Sequence, residues 1–304
     1  MKRKIIIDTD PGHDDVMAII LAAKSGKFDI QAITTVCGNS TIENTTRNAR
    51  YVLQLLNREE IPVFSGAAKP LKRSLIQAVV HGKSGLDGID PTNKPRLNGN
   101  AVQKILSIIN ANPNEVTIVA LAPLTNIATA IQKDPKTMMK VKEIIIMGGA
   151  IKVPGNKNRV AEFNIFVDPE AASIVFAFPV KKTLVPLDVC NQVKLVLQDF
   201  KSIKNLSLRN VLLKMIKPYI KNIAEDEGVK AAMMYDPLTV YYLLNPKVAQ
   251  TYRCNIGIET TGQFTSGMTV ADLRIKPEQE VNVTIVEYIE KNDFKNDFIQ
   301  ILSK

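Results

Sequence analysis

Hydrophobic and polar positions alternate in a regular way along the first two-thirds of the chain. Short runs of β-branched and aliphatic residues are separated by longer stretches in which the apolar positions have helical spacing. The runs predict strands at residues 4–8, 30–36, 116–121, 143–147 and 183–187. The longer stretches predict helices at residues 14–24, 45–56, 102–109, 124–132 and 169–176. This alternation is typical of βαβ units, so it predicts an α/β fold with a Rossmann-like, open, mostly parallel sheet and helices on both faces.

The pattern is less regular beyond residue 193. It predicts a long helix over residues 198–223, a second helix over 237–244, and strands over 252–259 and 280–286. No internal repeat, low-complexity tract or long linker interrupts the sequence. A chain of 304 residues is near the size at which a single core stops growing, and we expect one domain over residues 1–304.

Composition and charge exclude several classes of partner. The chain has 39 lysines and arginines against 30 acidic residues, a formal net charge of +9, but the basic residues are scattered. Tryptophan is absent and aromatic residues make up only 6% of the chain, which leaves few platforms for stacking bases. We therefore expect no nucleic-acid partner, although the positive charge can help to attract anionic or polar solutes.

Neither a membrane segment nor a disulfide framework is predicted. The longest apolar stretches, at residues 16–23 and 116–122, are much shorter than the ~18 residues that a membrane helix requires. The three cysteines are Cys37, Cys190 and Cys254, and their spacing matches neither a disulfide scaffold nor a zinc site. Sparse cysteines are typical of a reducing compartment, so we expect a cytoplasmic protein with no membrane partner.

Polar residues follow several of the predicted strands at the points where those strands end. These segments are residues 8–15, 38–39, 122–126 and 148–149. The carboxyl ends of parallel strands meet at one edge of an open α/β sheet, which is where such folds bind ligands. The sequence therefore predicts an active site at this edge.

The first of these segments contains four carboxylates within eight residues: Asp8, Asp10, Asp14 and Asp15. Carboxylates this close repel one another unless a cation or protons neutralise them. A helix N-terminus can accommodate one or two of them, most naturally Asp14 or Asp15, as caps. The remainder favour a bound divalent cation, and ligation by oxygen alone selects Ca²⁺ or Mg²⁺ over zinc.

The segment Asp8-Thr9-Asp10-Pro11-Gly12-His13-Asp14-Asp15 resembles the signature of the nucleoside hydrolases, the inosine-uridine-preferring nucleoside N-ribohydrolases. The resemblance continues in order along almost the whole chain. The further matching segments are residues 33–39, 46–49, 81–85, 124–128, 147–149, 161–164, 168–172, 236–237 and 267–272. One such motif would be a weak signal, whereas the ordered set is specific to the family.

The resemblance implies hydrolysis of the N-glycosidic bond of ribonucleosides to ribose and free base, within nucleoside catabolism and salvage. It implies a calcium ion held by three carboxylates and one main-chain oxygen: Asp10, Asp15, Asp236 and Leu121. Asp10 would activate a calcium-bound water, and the transition state would have oxocarbenium character. Residues implied to bind the ribose hydroxyls are Asp14, Asn39, Asn156, Glu162 and Asn164. Asp8 would support the loop, and His81 would lie near the ribose end of the site or in a mobile flap over it. The family also implies a homodimer or homotetramer.

Several of these positions have an ordinary structural explanation as well. Asn39 follows a glycine at a strand end, where asparagine often serves as a turn residue. Asp236 precedes a proline and could be a helix N-cap. Asn156 and Asn158 are close enough in sequence for either amide to serve the site. A loop histidine is more often solvated than catalytic. The expectation of a functional role is therefore weaker for His13 than for His81.

One position departs from the family pattern. Family members that favour inosine and uridine commonly have a histidine before the late calcium-binding aspartate, and this chain has Tyr235 there. Tyrosine is a weaker acid than histidine near neutral pH, but its hydroxyl can donate a hydrogen bond to a departing base. The segment before Tyr235, residues 223–230, also lacks the tyrosines and glutamine often found there facing the base, and Tyr219 lies about a turn or more upstream. The sequence therefore leaves the base preference and the leaving-group acid open.

Two other functions compete with this interpretation. The Asp8-x-Asp10 pattern after a strand is similar to the nucleophile and acid of haloacid-dehalogenase-like phosphohydrolases, but no second acidic pair follows a later strand. The other alternative is a nucleoside- or ribose-binding protein of the same fold that has lost catalysis, which the departure at Tyr235 motivates. Release of reducing sugar from a panel of ribonucleosides separates hydrolysis from both.

Overall fold

The computed structural model describes residues 2–91, 97–226 and 228–304. Nine strands form one sheet in the order β10-β9-β11-β6-β5-β4-β1-β2-β3. Their bounds are β1 Arg3–Thr9, β2 Phe28–Thr35, β3 Val63–Ser65, β4 Thr117–Ala120, β5 Glu143–Met147, β6 Lys182–Val185, β9 Ala249–Ile258, β10 Thr269–Asp272 and β11 Val283–Ile289. Two short strands, β7 Lys194–Leu195 and β8 Ala232–Met233, pair antiparallel as a separate ribbon.

Helices cover both faces of the large sheet. Their bounds are α1 His13–Lys24, α2 Ile42–Leu55, α3 Ala101–Ala111, α4 Thr125–Lys133, α5 Pro135–Met138, α6 Phe163–Val167, α7 Pro169–Ala177, α8 Leu187–Cys190, α9 Leu197–Lys201, α10 Leu206–Asp226, α11 Tyr235–Leu244 and α12 Lys291–Ser303. The two larger hydrophobic clusters lie on these faces: one contains residues of α1, α10, α11 and α12, and the other contains residues of α3, α4 and α7. The predicted α/β fold, a mostly parallel sheet between helical layers, is confirmed.

The first six strands of the sheet are parallel and follow the order β3-β2-β1-β4-β5-β6. This is the doubly wound order in which the direction of winding reverses between β1 and β4. Ile7 on β1 pairs with Ile33 on β2 and with Val119 on β4, so the three strands end at the same level. The loops after β1 and β4 therefore diverge at this reversal and leave a crevice between them.

The other edge of the sheet is antiparallel. Strand β11 runs parallel to β6 but antiparallel to β9, and β9 pairs antiparallel with β10. Strand β10 was not predicted, and it places residues 269–272 at the edge of the sheet.

The prediction of one helix over residues 198–223 was wrong in one respect. The structure has two helices there, α9 and α10, separated by residues 202–205. The side chain of Asn205 accepts a hydrogen bond from the main-chain N–H of Leu208 at 3.1 Å, which caps a new helix start. Within the described ranges, no helix is both long and apolar enough to span a bilayer.

Candidate active site

The loop after β1 is held together by the carboxylate of Asp15. Its Oδ1 accepts hydrogen bonds from the hydroxyl of Thr9 at 2.5 Å and from the main-chain N–H of Asp10 at 3.3 Å. Its Oδ2 accepts from the N–H of Gly12 and from Nδ2 of Asn39, both at 3.0 Å. Asp15 thus caps helix α1, which is the structural role that the sequence analysis allowed for Asp14 or Asp15. It also connects the loop to Asn39 after β2.

Asp10 has one satisfied carboxylate oxygen and one without a partner. The main-chain N–H of Asn39 donates to Oδ2 of Asp10 at 2.6 Å, whereas Oδ1 is buried with no hydrogen bond in the described structure. Gly38 makes this approach possible, because a Cβ there would lie 2.0 Å from Oδ2 of Asp10. Burial, and then the nearby charge of Asp15, raise the pKa of Asp10 well above its ordinary value.

Asp8 lies one step further from the crevice. Its Oδ1 accepts hydrogen bonds from the hydroxyl of Thr34 at 2.5 Å and from Nδ2 of Asn126 at 2.8 Å. Asn126 also donates to the main-chain oxygen of Thr35. Burial raises the pKa of Asp8 to about 6. These contacts join the ends of β1, β2 and β4, which suits the supporting position that the sequence predicts for Asp8.

Three carboxylates meet at the centre of the crevice. Asp14, Asp15 and Asp236 each offer an oxygen within 4.8 Å of the other two, and all three are buried. Asp236 arrives from the first turn of α11, and it shares a hydrogen bond with Asp15. Burial is the largest cause that raises the pKa of Asp14 and of Asp236, and the charge of Asp15 adds to it.

This group fits a cation better than it fits protein partners. No lysine or arginine in the described ranges forms an ion pair with Asp10, Asp14, Asp15 or Asp236. Oδ1 of Asp10 and Oδ1 of Asp14 are buried polar atoms without hydrogen bonds, which is costly unless a ligand completes them. The sequence-predicted ligand Asp10 is adjacent to the group of three and not part of it, whereas Asp14, predicted to bind ribose, is part of it.

The opposite wall of the crevice is formed after β4 and β5. Leu121, the fourth predicted ligand, follows β4, and its main-chain oxygen accepts a hydrogen bond from Nδ2 of Asn164 at 3.0 Å. Glu162 caps α6 and accepts from three main-chain N–H groups, of Asn164, Ile165 and Gly149, at 2.9–3.1 Å. Burial raises the pKa of Glu162 to about 7 despite these donors. The N-terminus of this short helix is therefore built around a buried carboxyl group.

Asn156 and Asn158 differ in their contacts. Asn158 accepts hydrogen bonds from the N–H groups of Val160 and Ala161 and donates to the main-chain oxygen of Ser266, so it stabilises its own loop. Asn156 accepts from the N–H of Phe163 at 2.9 Å through Oδ1 and lines the cavity. Its Nδ2 group is thus the one available as a donor.

Three aromatic rings stack at one end of the crevice. The centroids of His13 and Tyr219 are 4.9 Å apart, and His81 lies 5.4 Å from both. Nε2 of His81 lies 3.8 Å from Oδ1 of Asp14. Burial lowers the pKa of His13 to about 4 and that of His81 well below its usual value. His13 is fully buried. Its position in the sequence motif alone did not predict this burial.

A cavity of about 610 Å³, counted out to its open mouth, collects these groups. Of the sequence-predicted site residues, those that line it are Asp14, Asn39, His81, Leu121, Asn156, Glu162, Asn164, Tyr235 and Asp236. Asp10 and Asp15 lie buried beside this lining. Further lining residues that sequence reasoning did not assign to the site include Val79 from the loop before His81, and Ile223 and Asp226 from the end of α10. No motif in the sequence of α10 pointed to these lining residues, because the residues that usually face the base are not present there.

Comparison with known proteins decides the family. The family model described as inosine-uridine preferring nucleoside hydrolase matches residues 5–296. The chain belongs to the nucleoside hydrolase family. It is therefore an enzyme of the class that hydrolyses N-glycosyl bonds, and the phosphohydrolase alternative is excluded.

Individual relatives of this nucleoside hydrolase cover its whole length. The pyrimidine-specific ribonucleoside hydrolase RihA of Escherichia coli O1:K1 is 39% identical over 302 residues, which is 97% of this chain and 96% of that protein. The structure of a plant nucleoside hydrolase, PpNRh1, matches with a TM-score of 0.93 and 32% identity, covering 100% of this chain and 99% of that one. A purine-preferring ribonucleoside hydrolase from Gardnerella vaginalis matches with a TM-score of 0.92 and 28% identity, covering 99% of this chain and 98% of that one.

Proposed function

We propose that this enzyme hydrolyses ribonucleosides to ribose and free base with the help of a calcium ion. Asp10, Asp15, Asp236 and the main-chain oxygen of Leu121 would hold the ion. The observation that carries the proposal is the set of buried carboxylates with unpartnered oxygens beside a cavity whose lining also supplies side-chain amides and the residue Leu121. Calcium prefers such oxygen ligands, including main-chain carbonyls.

The ion supplies charge neutralisation, a grip on the ribose 2′- and 3′-hydroxyls and a lowered pKa for a coordinated water. Asp10 takes the proton from the attacking water. Its Oδ2 is fixed by the N–H of Asn39, so Oδ1 is the oxygen left to accept that proton. The water oxygen bonds to C1′ of the ribose as the C1′–N bond breaks, and the base leaves with the bonding electrons and takes up a proton.

The ribose would be held by five side chains: Asp14, Asn39, Asn156, Glu162 and Asn164. Asn39 and Asn164 use their Nδ2 groups on Asp15 and on the carbonyl of Leu121, which leaves Oδ1 of each to accept from a hydroxyl. Asn156 is the complementary case, since its Oδ1 is engaged and Nδ2 can donate. Fixed contacts of this kind orient the sugar and stabilise its developing positive charge in an oxocarbenium-like transition state.

The base would leave from the end of the cavity lined by Tyr235. This tyrosine is the first residue of α11 and is 8% exposed, and the family pattern has a histidine at its position. Its hydroxyl donates a hydrogen bond to the departing base. We assign pyrimidine ribonucleosides as the preferred substrates because the 39% identical relative is described as pyrimidine-specific and this chain has no tryptophan to stack on a purine.

The assembly and location follow from the same proposal. We place the enzyme in the cytoplasm, with three buried and unpaired cysteines that suit a reducing compartment. We further propose a homodimer or homotetramer of single-domain chains, which light scattering on purified protein would test.

The test is a panel of cytidine, uridine, inosine, guanosine, adenosine and the 2′-deoxyribonucleosides, assayed for reducing sugar with calcium present. We expect ribose from cytidine and uridine at the highest rates, and far slower release from deoxyribonucleosides because they lack one of the two hydroxyls. Tight ribonucleoside binding without sugar release would support the binding-protein alternative. Equal rates for ribo- and deoxyribonucleosides would contradict the proposed grip on the diol.

A further inference from the structure

The guanidinium group of Arg73 joins three segments that are far apart in the sequence. Arg73 lies in the loop after β3, and its Nε and Nη2 donate to the two carboxylate oxygens of Glu170 on α7 at 2.9 and 3.0 Å. Its Nη1 donates to Oγ of Ser266 at 2.8 Å, and Nη2 also donates to the main-chain oxygen of Thr260 at 2.6 Å. A planar guanidinium has donors in all three directions, whereas the ammonium group of a lysine is a single point charge.

Two of these acceptors lie in the turn between β9 and β10, residues 259–268, which we call the hairpin turn. Gly267 in this turn has a φ of +86°, a conformation that favours glycine. A Cβ there would lie 2.9 Å from Cα of Phe166 and 3.0 Å from Cβ of Ala161. The hairpin turn therefore packs closely against residues 156–166, which include three of the five side chains that we assign to the ribose.

Asn158 connects the hairpin turn to this segment by hydrogen bonds. Its Nδ2 donates to the main-chain oxygen of Ser266 at 3.1 Å, and its Oδ1 accepts from the main-chain N–H of Ala161 at 2.7 Å. These bonds fix the loop between Asn156 and Glu162, two residues that line the cavity. A continuous series of contacts therefore leads from Arg73 to the wall of the cavity.

We propose that Arg73 is a positioning residue: through Ser266 and Asn158 it holds residues 156–166 in the conformation that presents Asn156, Glu162 and Asn164 to the ribose. Arg73 does not itself line the cavity in the described part of the chain. A loop that is not held in this way must be ordered when the sugar binds, and the cost of ordering it lowers the affinity. The part of this inference that concerns the ribose rests on the proposed function, whereas the link between Arg73 and the segment does not.

Hydrogen exchange of the full-length protein with calcium present, followed by mass spectrometry, tests the link without a substrate. Arg73→Lys keeps the charge but cannot hold Glu170 and the hairpin turn together, so we expect residues 156–166 to exchange about tenfold faster than in wild type. Arg274→Lys is the matched control, because Arg274 also binds a carboxylate, that of Asp272, through its fork, but at an exposed position. Exchange of residues 156–166 should be unchanged in this control. Unchanged exchange there in Arg73→Lys would overturn the proposal.

Substitutions of Ser266 test the route and disturb the fold less, since they leave the ion pair of Arg73 with Glu170 in place. Ser266→Ala removes the Oγ acceptor and should speed exchange of residues 156–166 about threefold, whereas Ser266→Thr keeps the hydroxyl and should restore the wild-type rate. If the link runs through Ser266, adding Ser266→Ala to Arg73→Lys changes the exchange less than the same substitution does in wild type. Fully additive effects would mean that Arg73 does not act through Ser266 and would contradict the proposal.

The kinetic readout separates positioning of the ribose from a loss of stability. For the ribonucleoside that wild type hydrolyses fastest, we expect Arg73→Lys to raise KM about tenfold and to change kcat less than about threefold, because bound ribose restores the order of the segment. A merely structural role would reduce the amount of folded enzyme, which lowers the apparent kcat and leaves KM unchanged, and that result would contradict the proposal. Absence of sugar release from every ribonucleoside in wild type would contradict the proposed function instead, and the exchange experiments would still decide whether Arg73 holds the segment.

Discussion

At the scale of single residues, the two carboxylate oxygens of Asp10 have different surroundings. One oxygen is fixed by the N–H of Asn39 at 2.6 Å and the other is buried without a partner. Asp10→Asn keeps a side chain of the same size but removes the proton acceptor. We expect kcat for ribonucleosides to fall at least 10³-fold, about 4 kcal/mol of activation free energy, in steady-state assays. Asp29→Asn, at an exposed position of β2, is the matched control and should retain wild-type kcat.

A decrease of less than tenfold in Asp10→Asn would mean that another group takes the proton from water. Calcium binding, measured by isothermal titration in the same variant, shows whether the loss comes from chemistry or from an absent ion.

Tyr235 allows a test that separates leaving-group activation from the rest of the reaction. Tyr235→Phe removes the hydroxyl that we assign to the base. We expect kcat for uridine to fall at least tenfold, since a positioned proton donor typically contributes more than that. A 4-nitrophenyl riboside leaves without protonation, so its kcat should change less than threefold in the same variant. Equal losses on the two substrates would place the effect of Tyr235 elsewhere.

The carboxylates of the loop after β1 are the site residues for which the sequence gives the strongest local signal. Four carboxylates after an apolar strand predict repulsion and hence a cation, and the structure brings Asp14 and Asp15 within 4.8 Å of Asp236. The local signal is weakest for His13 and Asp226. His13 is buried through contacts with Asp87 and His81, more than sixty residues away in sequence. Such contacts depend on how a long loop returns to the sheet, which local pattern does not specify.

At the scale of elements, two Asp-Pro helix starts offer a matched comparison. Asp134 caps α5 and Asp168 caps α7, each with a proline at the first helical position. Asp168 is fully buried and also accepts hydrogen bonds from the hydroxyl of Thr125 at 2.6 Å and the N–H of Leu71 at 2.8 Å. It thereby ties the loop after β3 to the helices α4 and α7.

We expect Asp168→Ala to lower the free energy of unfolding by about 3 kcal/mol, because it leaves two buried donors, of Thr125 and Ala171, and the half-buried N–H of Leu71 without acceptors. Asp134→Ala should cost clearly less, since Asp134 is half-buried and its side chain bonds to Thr137 of its own helix, where water can replace it. Urea denaturation of both variants gives the comparison. Equal losses would show that Asp168 acts only as a cap.

Helices and strands could be predicted from the sequence where the hydrophobic periodicity of a segment and its length indicated the same type of element. Strands β1, β2, β4, β5 and β6 and the helices predicted after them lie within a few residues of the predicted bounds, because continuous β-branched runs satisfy two covered faces. The three-residue parallel strand β3 was not predicted. The break between α9 and α10 was missed because the apolar spacing continues across residues 202–205. The side chain of Asn205 caps the start of α10 and so marks the boundary between the two helices.

At the scale of the whole molecule, the buried carboxyl groups make stability depend on pH and on the cation. Their pKa values in the folded protein are raised, to about 6 for Asp8 and about 7 for Glu162, and those of Asp10, Asp14 and Asp236 are also raised well above their ordinary value by burial. In the unfolded chain they titrate near ~4. The folded state therefore binds more protons between these values, and its free energy of unfolding falls as pH rises through that window.

We expect the Tm of EDTA-treated protein to be lower at pH 8 than at pH 5 in differential scanning fluorimetry. Excess calcium should raise Tm at pH 8 more than at pH 5, because the ion replaces protons that the carboxylates hold at the lower pH. Asp236→Asn should lose most of the calcium-dependent increase. A Tm in EDTA that does not change with pH would contradict the account of the acidic group.

The most direct test of the central claim is a crystal structure with calcium, located by its anomalous signal. We predict one strong peak within about 2.3–2.6 Å of oxygens from Asp10, Asp15, Asp236 and the main chain of Leu121, in contact with the ribose diol when a ribonucleoside analogue is bound. A peak coordinated by Asp14, Asp15 and Asp236 at a distance from Asp10 and Leu121, or no peak in this crevice at saturating calcium, would contradict it.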